Sequence, residues 1–499
     1  MFEVIMGILL SKHMIYITLG TMVGIFTGAM PGLSSGTGII MVLPLTFYMD
    51  LKMAMSFLLA IYIADNCAGG ITSVYFNIPG TPSAAITAID GYPLAQKGKL
   101  GEAAGLVIGA SFLGGFISYL VLYYGLNTLG KIAYKFGPME LFFTAFLGVI
   151  CAVGVKGITP YKSLASGLFG LLLGTIGYSP TGAARATFGM IEFLDGVPFF
   201  PLIIGMLCMS EVFSIVEKEF VLKKEGKKER IIIKIFSGIF DVFKEPLHTF
   251  YSAMIGTFVG ILPGEGGTMA SFLSYYRAKQ TSKNPDEYGT GIPRGVIAAE
   301  AANSASVGGG LLTSLLLGIP GTATCAILLA ALMLHGIQIG PVLFRSHSDL
   351  IYSMIGSCFL ANIVMLISVI IVANYFSVFV YIPTKYLVPV ITIFCCLGTY
   401  MVRNSIMDVW TFFFSSVLAV AMKSKGYPPL PLIVAVIVSP IADAELIRAI
   451  QIHQNRIIGA IFKSPINWVL IILNILLIVS MFRQKSKSSK EIYVIKQDD

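Results

Sequence analysis

Two tetrapeptides carry residues suited to chemistry: Ile78-Pro79-Gly80-Thr81, within the run FNIPGTPSAA at residues 76–85, and Ile319-Pro320-Gly321-Thr322, within LGIPGTATCA at residues 317–326. Pro79 and Pro320 each lack the N–H that a helix interior needs and block its continuation. A helix restarting at Thr81 or Thr322 would present free N–H groups and the positive end of its dipole. Thr81, Ser83, Thr322 and Thr324 add hydroxyl donors on the first turn, and Gly80 and Gly321 let an anion approach the backbone closely. The expected chemistry is non-covalent binding of a carboxylate. A single Pro-Gly pair also serves to kink a packed helix, but two in corresponding places, each after a polar Asn-containing patch, point to one shared site. Asn66, Asn77, Asn303 and Ser304 complete the expected substrate-binding set.

A second kind of break lies upstream of the first. Gly28-Ala29-Met30-Pro31-Gly32-Leu33-Ser34-Ser35 corresponds to Gly260-Ile261-Leu262-Pro263-Gly264-Glu265-Gly266-Gly267. Unwound carbonyls around Pro31, Gly32, Pro263 and Gly264, with Ser34, Ser35 and Asn66 or Asn303, could coordinate sodium, a hard cation that takes oxygen ligands. A tight interfacial turn is the alternative. Asp65, Glu265 and Glu300 are carboxylates in apolar surroundings, where an acid is costly and usually functional, so they join the ion-coupling candidates unless they sit at an interface. Arg185 could pair with a carboxylate or lie in a loop.

No catalytic residues are expected. The chain has no GxxxxGK[ST] phosphate loop, so ATP does not drive it, and no HExxH or HxxxH pair, so a zinc protease is unsupported. Its seven cysteines form no CxxC, which favours buried reduced thiols over a metal or redox site. No cofactor is expected beyond sodium as a coupling ion.

The elements that must hold these residues are membrane helices. Hydrophobic residues make up 56% of the chain and charged residues 12%, with a mean hydropathy of +0.83, against about a quarter charged in soluble domains. The expected fold is an all-α polytopic membrane protein with about 10–13 transmembrane helices plus broken or re-entrant helices. The amino-terminus lacks a basic region and a good cleavage site, so no cleaved signal peptide is expected. Gly20-x3-Gly24-x3-Gly28 and Gly101-x3-Gly105-x3-Gly109 are read as helix-packing faces. The net charge of +8 collects partly at Lys223, Lys224, Lys227, Lys228 and Arg230 and at Arg483, Lys485, Lys487 and Lys490. These clusters flank apolar spans and lack interleaved aromatics, so they read as cytoplasmic segments, not as a nucleic-acid surface.

The landmarks recur at offsets of about 232 to 241 residues, which defines two internal repeats. Residues 1–216 form the first half, with breaks at 28–36 and 77–83. A basic cytoplasmic connector occupies 217–246, and the second half occupies 247–400, with breaks at 260–268 and 318–324. Further transmembrane helices at 401–482 and a cytoplasmic tail at 483–499 follow. Inverted repeats are the common arrangement in ion-coupled transporters, and that is the expectation here, with an elevator-like displacement of one bundle.

The set Met30-Pro31-Gly32-Leu33, Asn77-Ile78-Pro79-Gly80-Thr81-Pro82, Asp90-Gly91-Tyr92-Pro93-Leu94, Leu262-Pro263-Gly264-Glu265-Gly266, Glu300-Ala301-Ala302-Asn303, Gly318-Ile319-Pro320-Gly321 and Gly340-Pro341 resembles the large membrane subunit of the tripartite tricarboxylate transporters, the TctA family. The resemblance covers about residues 15 to 455. It implies a prokaryotic multi-pass protein of the inner or plasma membrane that imports carboxylates on an ion gradient, typically sodium. It also implies two partners, a small four-helix membrane subunit and an extracytoplasmic solute-binding protein. The chain departs from the family pattern at Asn303-Ser304, where a doubled Asn is commoner, and at Asp443-Ala444-Glu445. Two other function classes remain as alternatives: an intramembrane enzyme using the acidic residues, and a passive anion channel.

Overall fold

The computed structural model describes residues 1–30, 33–133, 136–153, 160–209, 231–262, 266–373, 384–453, 461 and 464–479. Pro31, Gly32, Pro263, Gly264 and Glu265 lie outside the described residues, as do the basic stretch 217–230 and the tail 483–499. The first half contains α1 (Phe2–Leu9), α2 (His13–Ala29), α3 (Ser35–Thr46), α4 (Leu51–Phe76), α5 (Ala84–Leu94), α6 (Leu100–Ala133), α7 (Pro138–Val153), α8 (Pro160–Gly174) and α9 (Phe199–Ile204). A two-stranded antiparallel hairpin, β1 (Gly177–Tyr178) and β2 (Ala184–Arg185), sits between α8 and α9. After residue 230 come α10 (Ile231–Phe243), α11 (Pro246–Ile261), α12 (Gly266–Gln280), α13 (Pro293–Leu317), α14 (Ala323–Leu334), α15 (Pro341–Ser346) and α16 (Ser348–Val372). The chain continues with α17 (Thr384–Arg403), α18 (Ile406–Ser424), α19 (Pro429–His453) and α20 (Pro465–Val479).

Glycine spacing explains how the breaks arise. Gly20, Gly24 and Gly28 put one face of α2 directly against the carbonyls of Phe57, Ile61 and Asp65 on α4, where any side chain would collide. Small residues allow such close approach in membranes, where apolar burial gives little drive. The paired numbers rise together, so α2 and α4 run in the same direction. The short α3 and residues 47–50 must therefore carry the chain back to the face that α2 entered, which makes α2–α3 a re-entrant hairpin. The second half repeats the device: Gly256 and Gly260 of α11 press on Ala302 and Ser306 of α13, and α12 returns the chain.

A chain of contacts fixes the relative direction of the halves. Lys52 and Ser56 of α4 meet Asp349 (2.6 Å) and Ser357 (2.7 Å) of α16, so these two helices are parallel. On α6, Asn127 meets Tyr352 (2.6 Å) and the Phe112 carbonyl meets Asn362 (2.9 Å), so α16 and α6 are antiparallel. Gly114, Ser118 and Gly125 of α6 lie against Ala301, Gly308 and Leu312, which makes α6 and α13 parallel. It follows that α4 and α13 run in opposite directions, and with them the two hairpins. The halves are inverted.

Among the described residues, five helices are long and apolar enough to cross a membrane, or six if the bent pair α1 and α2 counts as one span. Shorter apolar helices, α3, the stretch Pro138–Ile150 of α7, α14 and α20, account for further hydrophobic segments of the sequence. Counting apolar segments includes them among the spans; hairpin geometry shows that α3 does not cross. Exposed Leu19, Phe258, Ile363, Ile367 and Ile371 form outward surface of the kind that faces lipid.

Candidate functional site

Four helix amino-termini converge on one cavity of about 290 Å³. Ser34 to Thr37 bring the start of α3, Thr81 to Ser83 the start of α5, Gly266 to Thr268 the start of α12, and Thr322 to Thr324 the start of α14. Tyr62, Asn66, Leu207, Ser306, Ile327 and Leu430 complete the lining. The volume falls at the lower end of small-molecule sites, roughly 300–1,000 Å³. Among the described residues, no charged side chain lines it. Its polarity comes from hydroxyls and first-turn N–H groups, a donor-rich arrangement that favours an anion. Ser34 caps α3 by accepting from the Thr37 N–H, and Thr322 caps α14 by accepting from the Cys325 N–H (3.1 Å). The asparagine Asn66 donates Nδ2 to the Tyr62 carbonyl at 2.9 Å, so its Oδ1 is what it can offer the cavity.

The walls are shared reciprocally. Ser35 of α3 bonds Thr324 beside the second tetrapeptide at 2.9 Å, while Gly267 of α12 abuts Ser83 beside the first. Residue 35 corresponds to 267 and 83 to 324, so each hairpin packs against the other half's broken tip, as in a two-fold contact. The tips have the same construction. Gly80 rests on Gly69 and the Gly28 carbonyl, and Gly321 on Gly310 and the Gly260 carbonyl. Each long helix ends in a left-handed residue, Asn77 (φ 55°) or Gly318 (φ 72°). Thr72 reaches the Gly28 and Ala29 carbonyls (both 3.4 Å), and Thr313 reaches that of Ile261 (2.9 Å).

This register moves one correspondence. With Gly69 matching Gly310, Asn303 falls opposite Tyr62, one turn from the Asn66 with which the sequence pairs it. The Tyr62 hydroxyl meets Thr322 Oγ1 at 3.1 Å. Asn303 lies behind Gly267, fully buried, and among the described residues its Oδ1 and the Ser304 Oγ have no hydrogen-bond partner. A buried amide oxygen in that position suits a hard cation or a donating group.

Of the expected residues, the structure brings Asn66, Thr81, Ser83, Thr322, Thr324, Ser34 and Ser35 to the cavity. It places Asn77 and Pro79 on exposed backbone and Gly80, Pro320 and Gly321 in the packed tips behind the lining. Asp65 is buried between α2 and α4, accepting from Thr27 at 2.8 Å. Glu300 is buried among α5, α6 and α13, accepting from Thr87 (2.8 Å) and Ser111 (2.9 Å). Sequence reasoning missed Tyr62, Thr37 and Ser306 as lining residues; hydroxyl-bearing residues at one-turn spacing from Asn66 and Asn303 are the signal for Tyr62 and Ser306. Arg185 does not line the cavity and pairs through both terminal nitrogens with Asp443, one of the acids that depart from the family pattern.

A clasp holds α5 against the second hairpin. Asp90 Oδ1 accepts the N–H groups of Gly289 (2.9 Å), Gly291 (2.8 Å) and Ile292 (3.1 Å), and Oδ2 accepts the Tyr275 hydroxyl (2.8 Å). The carboxylate is fully buried.

Residues 14–434 match the family described as Tripartite tricarboxylate transporter TctA family. The chain belongs to that family. TctA proteins are transporters, not enzymes, which removes the intramembrane enzyme reading. Two curated relatives come from Agrobacterium vitis. The "Uncharacterized 52.8 kDa protein in TAR-I ttuC' 3'region" is 29% identical over 487 residues, covering 97% of this chain and 96% of its own. The "Uncharacterized protein in TAR-II ttuC' 3'region" is 33% identical over 200 residues, covering 40% of this chain and 83% of its own. No solved structure matches this TctA chain.

Proposed function

We propose that this TctA protein carries tricarboxylates or related carboxylates into a prokaryotic cell across its inner or plasma membrane, driven by a sodium gradient. The observation that carries the reading is the convergence of four helix amino-termini, two from each inverted half, on one cavity that no charged side chain among the described residues lines. The carboxylate groups sit on the hydroxyls and N–H groups of Thr81, Ser83, Thr322 and Thr324. Sodium takes oxygen ligands near the second hairpin, where the Asn303 Oδ1 lies behind Gly267. A solute-binding protein delivers the substrate outside, and a small four-helix subunit accompanies this one. Alternating access displaces the hairpins and tips together, in the manner of an elevator.

Charge sets the orientation. Lys97, Lys99, Lys234, Lys244, Arg277, Lys279, Lys283 and Arg294 collect at the end of the bundle where α5 and α12 finish, against Lys12 and Lys52 where α2 and α4 begin. The excess makes the first end cytoplasmic.

Vesicles holding the three-protein system should accumulate labelled citrate only while an inward sodium gradient stands. Accumulation that persists after the gradient is collapsed would overturn the coupling. Thr322→Val removes both a helix cap and a hydroxyl facing the cavity. It is expected to raise the half-saturating citrate concentration about tenfold, the equivalent of one hydrogen bond, and to cost about 1 kcal/mol of stability. An unchanged half-saturation would remove Thr322 from the site.

A further inference from the structure

We infer that Glu300 is a positioning residue: it holds the Asn303 amide so that Oδ1, not Nδ2, faces the cavity wall at Gly267. The inference rests on the proposed transport reading and assigns a task to a buried acid that does not itself line the cavity.

An ionised carboxylate only accepts hydrogen bonds, whereas an amide carries two donors on one side and an acceptor on the other. Glu300 Oε1 takes Asn303 Nδ2 at 3.3 Å, and the amide oxygen is thereby turned the opposite way. That oxygen is buried and, among the described residues, unpartnered, and a methyl built on Gly267 would come within 2.6 Å of it. Glu300 itself is held in place, because Thr87 from α5 donates to Oε2 and Ser111 from α6 donates to Oε1, while its carboxylate fills the space that a side chain at Gly70 would need. One acid thus sets the orientation of an acceptor behind the first turn of α12. At the equivalent place in the other half the Tyr62 hydroxyl is already engaged with Thr322. The two ends of the cavity therefore differ: the Asn303 end accepts a cation or a donating group.

The purified full-length chain, titrated with sodium chloride against choline chloride while its melting temperature is followed, separates positioning from simple packing. Glu300→Gln keeps the volume and one acceptor oxygen but can offer an N–H to Asn303, freeing the amide to turn. The half-saturating sodium concentration is expected to rise about tenfold, with little change in the sodium-free melting temperature. Adding Asn303→Asp, whose two oxygens both accept and need no orienting, should bring the double variant back to within about threefold of wild type. An unchanged Glu300→Gln, a double variant no better than the single one, or a wild type indifferent to sodium would each overturn the inference. In the last case, citrate uptake on another ion gradient would leave carboxylate transport standing.

Discussion

Gly80→Ala and Gly321→Ala are each expected to cost about 3 kcal/mol of stability and most of the citrate uptake, because a methyl at either position has no space to occupy. At Gly321 it would lie 2.5 Å from Gly310 Cα and 2.8 Å from the Gly260 carbonyl, and at Gly80 it would lie 2.7 Å from Gly69 Cα beside the Gly28 carbonyl. Backbone cannot yield as the end of a flexible side chain can. Relief requires the broken tip to lift away from its long helix, which carries Thr81 or Thr322 with it and opens the cavity wall. Melting curves and uptake measured on the same preparations decide the matter. A variant that keeps wild-type melting but loses uptake would mean that the glycine serves the ligand and not the packing.

Asp90→Ala should be as severe, at about 4 kcal/mol, in the range for breaking a buried charged network. Three backbone N–H groups of the loop between α12 and α13 lose their acceptor at once, and a buried donor left without one costs about 1–3 kcal/mol. Asp90→Asn retains one oxygen for those donors and should cost about half as much. Tyr275→Phe removes only the bond at Oδ2 and should cost about 1 kcal/mol. Melting temperatures in that order, Ala lowest and Phe highest of the three, are the expected result. Equal effects of Asp90→Ala and Tyr275→Phe would show that the tyrosine, not the loop backbone, is the anchor.

Much of the site was legible because its determinants are local. Pro79 and Pro320 cannot sit inside a continuous helix, so the breaks could be read from the residues themselves, and the hydroxyls beside them follow directly. The direction of the halves was not legible, since it rests on which faces of α4, α16, α6 and α13 touch, and no spacing along the chain records that. Nor was the match of Asn303 with Tyr62. A shift of one helical turn leaves a residue on nearly the same face, so the shared residue type drew Asn303 to Asn66, while the glycine contacts fix the register at Gly69 and Gly310. Asn77, the left-handed end of α4, and Pro79 shape the turn and do not line the cavity.

The Asp90 clasp also has a place in the order of synthesis. Its carboxylate emerges about 200 residues before the Gly289–Ile292 backbone that satisfies it. At roughly 5–20 residues per second this leaves an acid unsatisfied for about 10–40 s. Over that interval α5 packs on α4 without its partners from the second half, and the first hairpin has no second tip to close against. The first half is thus an open intermediate whose second tip, at Thr322–Thr324, is added only when the chain is about two-thirds made.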